Sequence, residues 1–220
     1  KLGKMPERPA FVTTIVTTNM AKHVAKKYGL HYIEVLTGFK YIGEQIKFFE
    51  QNNNSHFYEF GFEESYGYLT GTYVRDKDGV NGATMICEMF TYYKSKGISL
   101  LDKLEDIWNK YGYCLNTLHS YEFNGESGSI KMKGIMDEFR NGPIDIPGFA
   151  IKKKLDYIVG FAGLPKSNVI KLVGESGSIV FRPSGTEPKL KVYLSICAKN
   201  KKAALSRERA IVEAVEGYLK

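Results

Sequence analysis

Several things are scarce in this sequence, and each scarcity closes a door. Cysteine occurs three times, as Cys87, Cys114 and Cys197. The number is odd, the spacing is wide and each lies beside apolar residues. Buried free thiols in a reducing, cytoplasmic compartment are expected rather than a disulfide. No His/Cys spacing of the metal-ligand kind is present, so no metal site is expected in this chain. No apolar run approaches the ~20 residues of a membrane span. The basic start Lys1-Leu2-Gly3-Lys4-Met5-Pro6 has no apolar signal core behind it, so nothing argues for secretion. Internal repeats and low-complexity tracts are missing. So are helix-turn-helix spacing and the aromatic–basic interleaving of single-strand binders, which turns the reading away from nucleic acid.

What remains is a globular chain. It has 220 residues, 43% apolar and 13% aromatic, enough for one large domain or two small ones. The net charge of +7 is unevenly placed. Residues 1–116 carry 14 Lys and Arg against 13 Asp and Glu, and residues 117–220 carry 17 against 11. The positive surplus lies in the second half, where an anionic ligand would use it.

In order, residues 1–9 read as a linker. Phe11 to Val16 is a β-branched strand. A helix follows, with Asn19 as its cap, Met20, Val24 and Tyr28 on one face and Gly29 as its stop. His31 to Leu36 is a second strand, and Thr37-Gly38-Phe39-Lys40 a turn into a helix built on Ile42, Ile46 and Phe49. That helix fades into the polar loop Gln51 to Ser55. Phe57 to Phe62 is a third strand. Residues 81–96 and 99–113 read as helices, the first with Met85, Ile86, Met89 and Phe90 inward. Alternating strands and helices predict an α/β layer on a mixed, largely parallel sheet. Near Asn116 the pattern changes. Leu118 to Phe123 reads as an edge strand, Ile130 to Phe139 as a helix, Asn141-Gly142-Pro143 as a break and Phe149 to Tyr157 as a strand with the basic run Lys152 to Lys154. A strand–loop–strand unit and a final helix from about Lys201, with Ile211, Val215 and Leu219 on one face, complete a smaller α+β domain of two helices beside three or four antiparallel strands. The boundary falls at residues 114–118, giving domains 1–116 and 117–220.

The strand–loop–strand unit holds the densest chemistry. Between Ile179-Val180-Phe181 and the alternating Leu190, Val192, Leu194 and Ile196 runs Arg182-Pro183-Ser184-Gly185-Thr186-Glu187-Pro188-Lys189. Its prolines and glycine break both strands. Arg182 can fork onto two oxygens. Ser184 and Thr186 bring hydroxyls, Gly185 allows close backbone approach as an anion nest, and Lys189 adds a charge. A surface turn with incidental charges is the alternative. A second stretch, Gly61-Phe62-Glu63-Glu64-Ser65-Tyr66-Gly67, follows the third strand, where open α/β sheets bind ligands. Glu63 and Ser65 suit neighbouring sugar hydroxyls; a solvated acidic turn is the alternative. Glu63 and Glu64 are a poor acid–base pair, because chain neighbours rarely flank one bond.

The eight residues from Arg182 resemble the phosphate-binding loop of the α-D-phosphohexomutases (phosphoglucomutase and phosphomannomutase). The Glu63 stretch is similar to that family's sugar-recognition loop, with Phe62 where the family often has Gly and Tyr66 before Gly67. Arg75-Asp76-Lys77-Asp78-Gly79 resembles an Arg-Glu-Lys-Asp-Gly segment whose Lys lies near the substrate; a hairpin-tip lysine is the other reading of Lys77. Thr37-Gly38-Phe39-Lys40 resembles a Thr-Gly-Trp-Lys turn that faces the active site. The resemblance implies the third and fourth domains of a four-domain enzyme, the last TATA-binding-protein-like. It implies sugar contacts at Glu63, Ser65, Thr37, Gly38, Lys40 and Lys77, and phosphate contacts at Arg182, Ser184, Gly185, Thr186 and Lys189. The expected parent interconverts hexose 1-phosphate and hexose 6-phosphate with Mg2+ and a hexose 1,6-bisphosphate activator. A phosphopentomutase, or a stand-alone module binding sugar phosphate or nucleic acid, is the alternative. The family's Thr-Ala-Ser-His-Asn-Pro serine loop and Asp-x-Asp-x-Asp-Arg magnesium loop do not occur; Ser55-His56 is only an echo of the first. The chain therefore reads as a C-terminal fragment, inactive alone, whose partners are the substrate and the missing first and second domains.

Overall fold

The computed structural model describes residues 5–53 and 55–219. The chain divides into two compact units on either side of the Tyr111–Gly112 bond. The division precedes the sequence boundary at 116/117 because Tyr113 to Asn116 already pair with Ala198 to Ser195.

In the first unit, strands β1 (Pro9–Thr14), β2 (His31–Val35), β3 (Phe57–Glu63) and β4 (Gly67–Thr70) form a sheet in the order β2-β1-β3-β4. The first three are parallel and β4 returns antiparallel from β3. Helix α1 (Met20–Tyr28) ends on Gly29 in the left-handed region, as its position promises. Its buried side chains are Ala21 and Ala25, against Phe11 with Tyr32, Phe60 and Phe62 around them. The expected face of Met20, Val24 and Tyr28 is therefore corrected: small residues let α1 lie close to the aromatic sheet face, and Tyr28 points out. Helix α2 (Phe39–Gln51) buries Phe39, Ile42, Ile46 and Phe49, and Ile42 packs over Gly61 of β3.

Helices α3 (Gly79–Lys94) and α4 (Leu100–Tyr111) complete the unit. The inward face expected of α3 is not found: Met85, Ile86, Met89 and Phe90 are each more than two-fifths exposed. The helix is anchored through its first turn, where Asn81 Oδ1 accepts from Thr70 N–H and Asp78 N–H donates to Tyr68 O. Apolar side chains run along α3, but an apolar run alone does not say what covers a face.

The second unit holds β5 (Tyr113–Glu122), α5 (Gly125–Asn141), β6 (Ile151–Asp156), β7 (Ile170–Gly174), β8 (Gly177–Pro183), β9 (Lys189–Ala198) and α6 (Lys201–Leu219). The strands make one antiparallel sheet in the order β5-β9-β8-β7-β6. There are five strands rather than three or four, because β7 is only five residues long and the alternation of Ile170, Lys171 and Leu172 is too short to mark it. Helices α5 and α6 cover one sheet face: Met136, Phe139, Ile211 and Val215 share a core with Leu172, Ile179, Phe181, Leu190 and Leu194. Phe139 stacks on Phe181 with ring centres 4.1 Å apart. On the edge of α5, Arg140 joins Asp156 of β6 at 2.8 Å.

The cysteine expectation is overturned. Cys114 and Cys197 stand directly opposite each other in β5 and β9 and are joined as a disulfide. Their separation of 83 residues hid a register pair. Cys87 is free, but exposed rather than buried.

Candidate functional site

The parallel strands β2, β1 and β3 all end at one edge of the first sheet. That edge therefore gathers Thr37 to Lys40, Thr14 to Thr17, and Glu63 to Gly67. Glu63 is the last residue of β3 and is 6% exposed, rare for an ionised side chain without a partner. Its partner is Lys77, with Nζ 3.7 Å from Oε1. Two sequence motifs fourteen residues apart thus converge. Gly67 makes room for them: a Cβ there would come within 2.9 Å of Glu63 Cγ and 3.0 Å of both Glu63 Oε1 and Lys77 Cδ.

Lys77 sits on a segment pinned at both ends. Arg75 places Nη2 at 2.7 Å from each Glu50 oxygen on α2, one guanidinium nitrogen shared by both carboxylate oxygens. The backbone of Arg75 lies against Gly43, also on α2. Asp78 caps α3, its Oδ1 accepting from Val80 N–H at 2.8 Å and Asn81 N–H at 3.0 Å. The cap to Asn81 and the Tyr73 hydroxyl hold the Asp78 carboxyl below its ordinary range.

The remaining edge residues divide. Glu64 Oε2 accepts from the Thr14 hydroxyl at 3.0 Å, and Thr14 Oγ1 lies 2.8 Å from Thr17 Oγ1. These buried threonines fasten the Glu63–Gly67 turn to β1, and nothing in the sequence singled them out. Ser65 and Tyr66 are exposed at the turn, Tyr66 with φ of 60°. Thr37 and Gly38 are half-buried at the entry to α2, Gly38 with φ of 116°. Lys40 is exposed and lies over the Tyr41 ring at 4.7 Å.

In the second unit, β8 and β9 are joined by residues 184–188, of which Ser184 is half-buried and Gly185 to Pro188 are exposed. Ser184 N–H donates to Lys189 O and Lys189 N–H to Glu187 O, both at 2.8 Å; Pro188 O accepts from Phe123 N–H at 2.8 Å. Among the described residues, the Arg182 guanidinium, the Ser184 and Thr186 hydroxyls and the N–H groups of Gly185, Thr186 and Glu187 have no partner within the chain. Gly185 has an ordinary φ, and a Cβ there would meet nothing within 4 Å. No internal demand for glycine exists at 185. Lys189 is not free: its Nζ lies 3.1 Å from Glu187 and 3.7 Å from Glu122. A guanidinium fork, hydroxyls and open N–H groups are the donor types with which proteins bind anions.

Comparison with known proteins identifies the family. The domain family described as phosphoglucomutase/phosphomannomutase, alpha/beta/alpha domain III, matches residues 1–111, and the phosphoglucomutase/phosphomannomutase C-terminal domain matches residues 147–214. A phosphoglucomutase of Staphylococcus aureus is 37% identical over 201 residues, covering 86% of this chain and 36% of the relative. One from Staphylococcus epidermidis is 38% identical over 204 residues, covering 87% and 37%. The chain thus spans about a third of the length of the curated relatives it matches. Among solved structures, the Paramecium phosphoglucomutase parafusin superposes with a TM-score of 0.67 at 19% identity, over 96% of this chain and 37% of that one. An Aspergillus fumigatus N-acetylphosphoglucosamine mutase variant, solved in complex with glucose 1,6-bisphosphate, gives 0.50 at 11% identity, over 96% and 38%. With both units matched, this chain belongs to the phosphoglucomutase/phosphomannomutase family.

Proposed function

We propose that this chain is the substrate-gripping part of a phosphohexomutase that interconverts hexose 1-phosphate and hexose 6-phosphate through a bisphosphorylated intermediate. The observation that carries the reading is the segment 182–188, where, among the described residues, a guanidinium, two hydroxyls and three N–H groups without a partner in the chain follow one another within six residues. In this reading the loop holds the phosphate that is not reacting. Arg182 takes two of its oxygens, Ser184 and Thr186 donate hydroxyls, and the backbone at Gly185 closes on it. Lys189 completes the set once Glu187 gives way.

The sugar belongs to the edge of the first sheet. Glu63 accepts from one hydroxyl and Ser65 contacts its neighbour, while Lys77 fixes the Glu63 carboxylate in place. Thr37, Gly38 and Lys40 border the same edge. Hydrogen bonds to hydroxyls and a remote grip on phosphate orient the reacting end, which is how binding energy away from the chemistry becomes rate. Glucose phosphates are the first substrates to test, since the curated relatives are phosphoglucomutases.

The phosphoryl step needs a positioned nucleophile and a charge-neutralising cation. Neither the serine loop nor the Asp-rich loop occurs in the sequence. Among the described residues no group of three or more His, Cys, Asp or Glu side chains fits a metal. In this proposal magnesium and the hexose 1,6-bisphosphate activator act in the full-length parent, whose first and second domains would carry the serine and Asp-rich loops.

Two kinetic tests follow. The 220-residue chain, free of host mutase, should give no turnover of glucose 1-phosphate with magnesium and a bisphosphate activator; turnover above blank sinks the proposal. In the full-length parent, Glu63→Gln and Ser65→Ala should each weaken the transition state by about 0.5–3 kcal/mol, the range of one hydrogen bond to a neutral or charged partner. Unchanged kcat/KM in both would move the sugar contacts elsewhere.

A further inference from the structure

Alternation along β8 and β9 sorts their side chains onto two faces. Phe181, Leu190 and Val192 belong to the core beneath α5 and α6, so Arg182, Lys189 and Lys191 face the other side. The register sets Arg182 directly opposite Lys191, and Lys189 opposite Glu122. Like charges in facing positions repel. The loop relieves this with a carboxylate of its own. Glu187 Oε1 accepts from Lys189 Nζ at 3.1 Å, and Glu187 Oε2 lies 3.9 Å from Lys191 Nζ. The Lys189 bond in turn holds the Glu187 carboxyl below its ordinary range.

Resting on the reading of this loop as a phosphate site, we propose that Glu187 is a built-in competitor of phosphate, an internal anion that occupies the ammonium groups of Lys189 and Lys191 until phosphate displaces it. A phosphate dianion held by Arg182, Ser184, Thr186 and the open N–H groups arrives beside a carboxylate on the same short loop. Two anions cannot share one cationic cluster without repulsion. Capture of phosphate therefore releases Glu187, whose side chain is 46% exposed at the loop and free to turn outward. Glu122, on the adjoining edge strand, stays 3.7 Å from Lys189 and keeps the cluster from becoming fully cationic. The consequence is a tempered grip, suited to a loop that must let its phosphate go when the substrate turns over.

The test is titration of inorganic phosphate into the 220-residue chain, followed by amide NMR, with glucose 1-phosphate as a second ligand. Glu187→Gln should bind phosphate tighter by about two- to fivefold, the size of an exposed charge interaction. That gain should vanish in the Lys189→Met/Lys191→Met background, where Glu187 has nothing to occupy. Glu175→Gln removes the same charge from the far turn of β8, where Glu175 pairs with Lys152, and should leave affinity unchanged. Amide spectra matching wild type outside the loop establish that each variant is folded. Unchanged or weaker binding by Glu187→Gln overturns the proposal. So does an equal gain without the two lysines, which would be simple field repulsion. If phosphate shifts no resonance at residues 182–189 in the wild type, the phosphate-site reading itself fails and takes this proposal with it, a result distinct from either variant outcome.

Discussion

Replacing Gly43 by alanine puts the clamp behind Lys77 under direct strain. Gly43 lies inside α2 with a helical neighbour on each side, where alanine is normally better than glycine by about 0.8–1.0 kcal/mol. Here a Cβ would overlap the carbonyl oxygen of Arg75 and stand 3.2 Å from its carbonyl carbon and its Cβ. The obstacle is backbone, and that backbone is held by the two 2.7 Å bonds from Arg75 to Glu50 and by the Asp78 cap. Overpacking against a fixed neighbour costs about 1–3 kcal/mol. The collision outweighs the helix propensity, and Gly43→Ala should destabilise the first unit by about 1–2 kcal/mol, or roughly 5–10 °C in Tm for a unit of this size. Gly217→Ala in α6 is the control, since a Cβ there meets nothing within 4 Å; it should be neutral or stabilising by up to ~1 kcal/mol. Because the chain has two units, each is read separately, by hydrogen exchange at amides of α2 and β1 for the first and of α6 and β8 for the second. Gly43→Ala as stable as wild type, with Gly217→Ala behaving as expected, would refute the tight packing of the Lys77 segment on α2.

Gly185→Ala should leave thermal stability unchanged but weaken phosphate binding, because only a ligand would feel the added methyl group; a loss of stability with intact binding would reverse that reading. The oxidised, unfolded chain should titrate one thiol, Cys87, and three after reduction, so three thiols before reduction would contradict the pairing of Cys114 with Cys197. Asp78 has a folded-state pKa below its unfolded value, so its contribution is full above about pH 4 and is lost as pH falls through the folded pKa. The amides of the first turn of α3 should therefore lose exchange protection earliest on acidification, and Asp78→Asn should flatten that dependence.

The two units and the segments that carry their loops were legible in the sequence because they rest on local signals. Alternation drew β9, Gly29 stopped α1 where predicted, and the Pro–Gly–Pro loop could join strands but not extend them. The second unit's helices were read from Phe139, Ile211 and Val215, which the core confirms. What was missed depends on partners distant in the chain. β7 is too short to show a period, and its Lys171, a charge that reads as solvent-facing, is buried. Cys114 and Cys197 met through a register that no spacing rule contains. The apolar run of α3 was read as a buried face, although only its first turn is tied to β4. In the candidate site, Glu63 was named for its place beyond a strand, and Lys77 through its motif. Their pairing, the Arg75–Glu50 clamp and the Thr14–Glu64 bond arise only when β1, α2 and β3 are assembled. Lys189 reads from the sequence as an open charge and is instead satisfied by Glu187, two residues away, and by Glu122, which meets it only through the β5–β9 register.

The measurement nearest the central claim is titration of phosphate and glucose 1-phosphate into the wild-type chain, Arg182→Lys and Arg182→Ala, followed residue by residue by NMR. The account predicts shifts centred on residues 182–189 and partial affinity in the lysine variant, which keeps the charge and loses the fork. It predicts a loss in the alanine variant of about 1.5–3 kcal/mol, the worth of a charge-assisted pair, with the fold intact because the loop is exposed. Shifts centred elsewhere, or an alanine variant that binds as well as wild type, would contradict it.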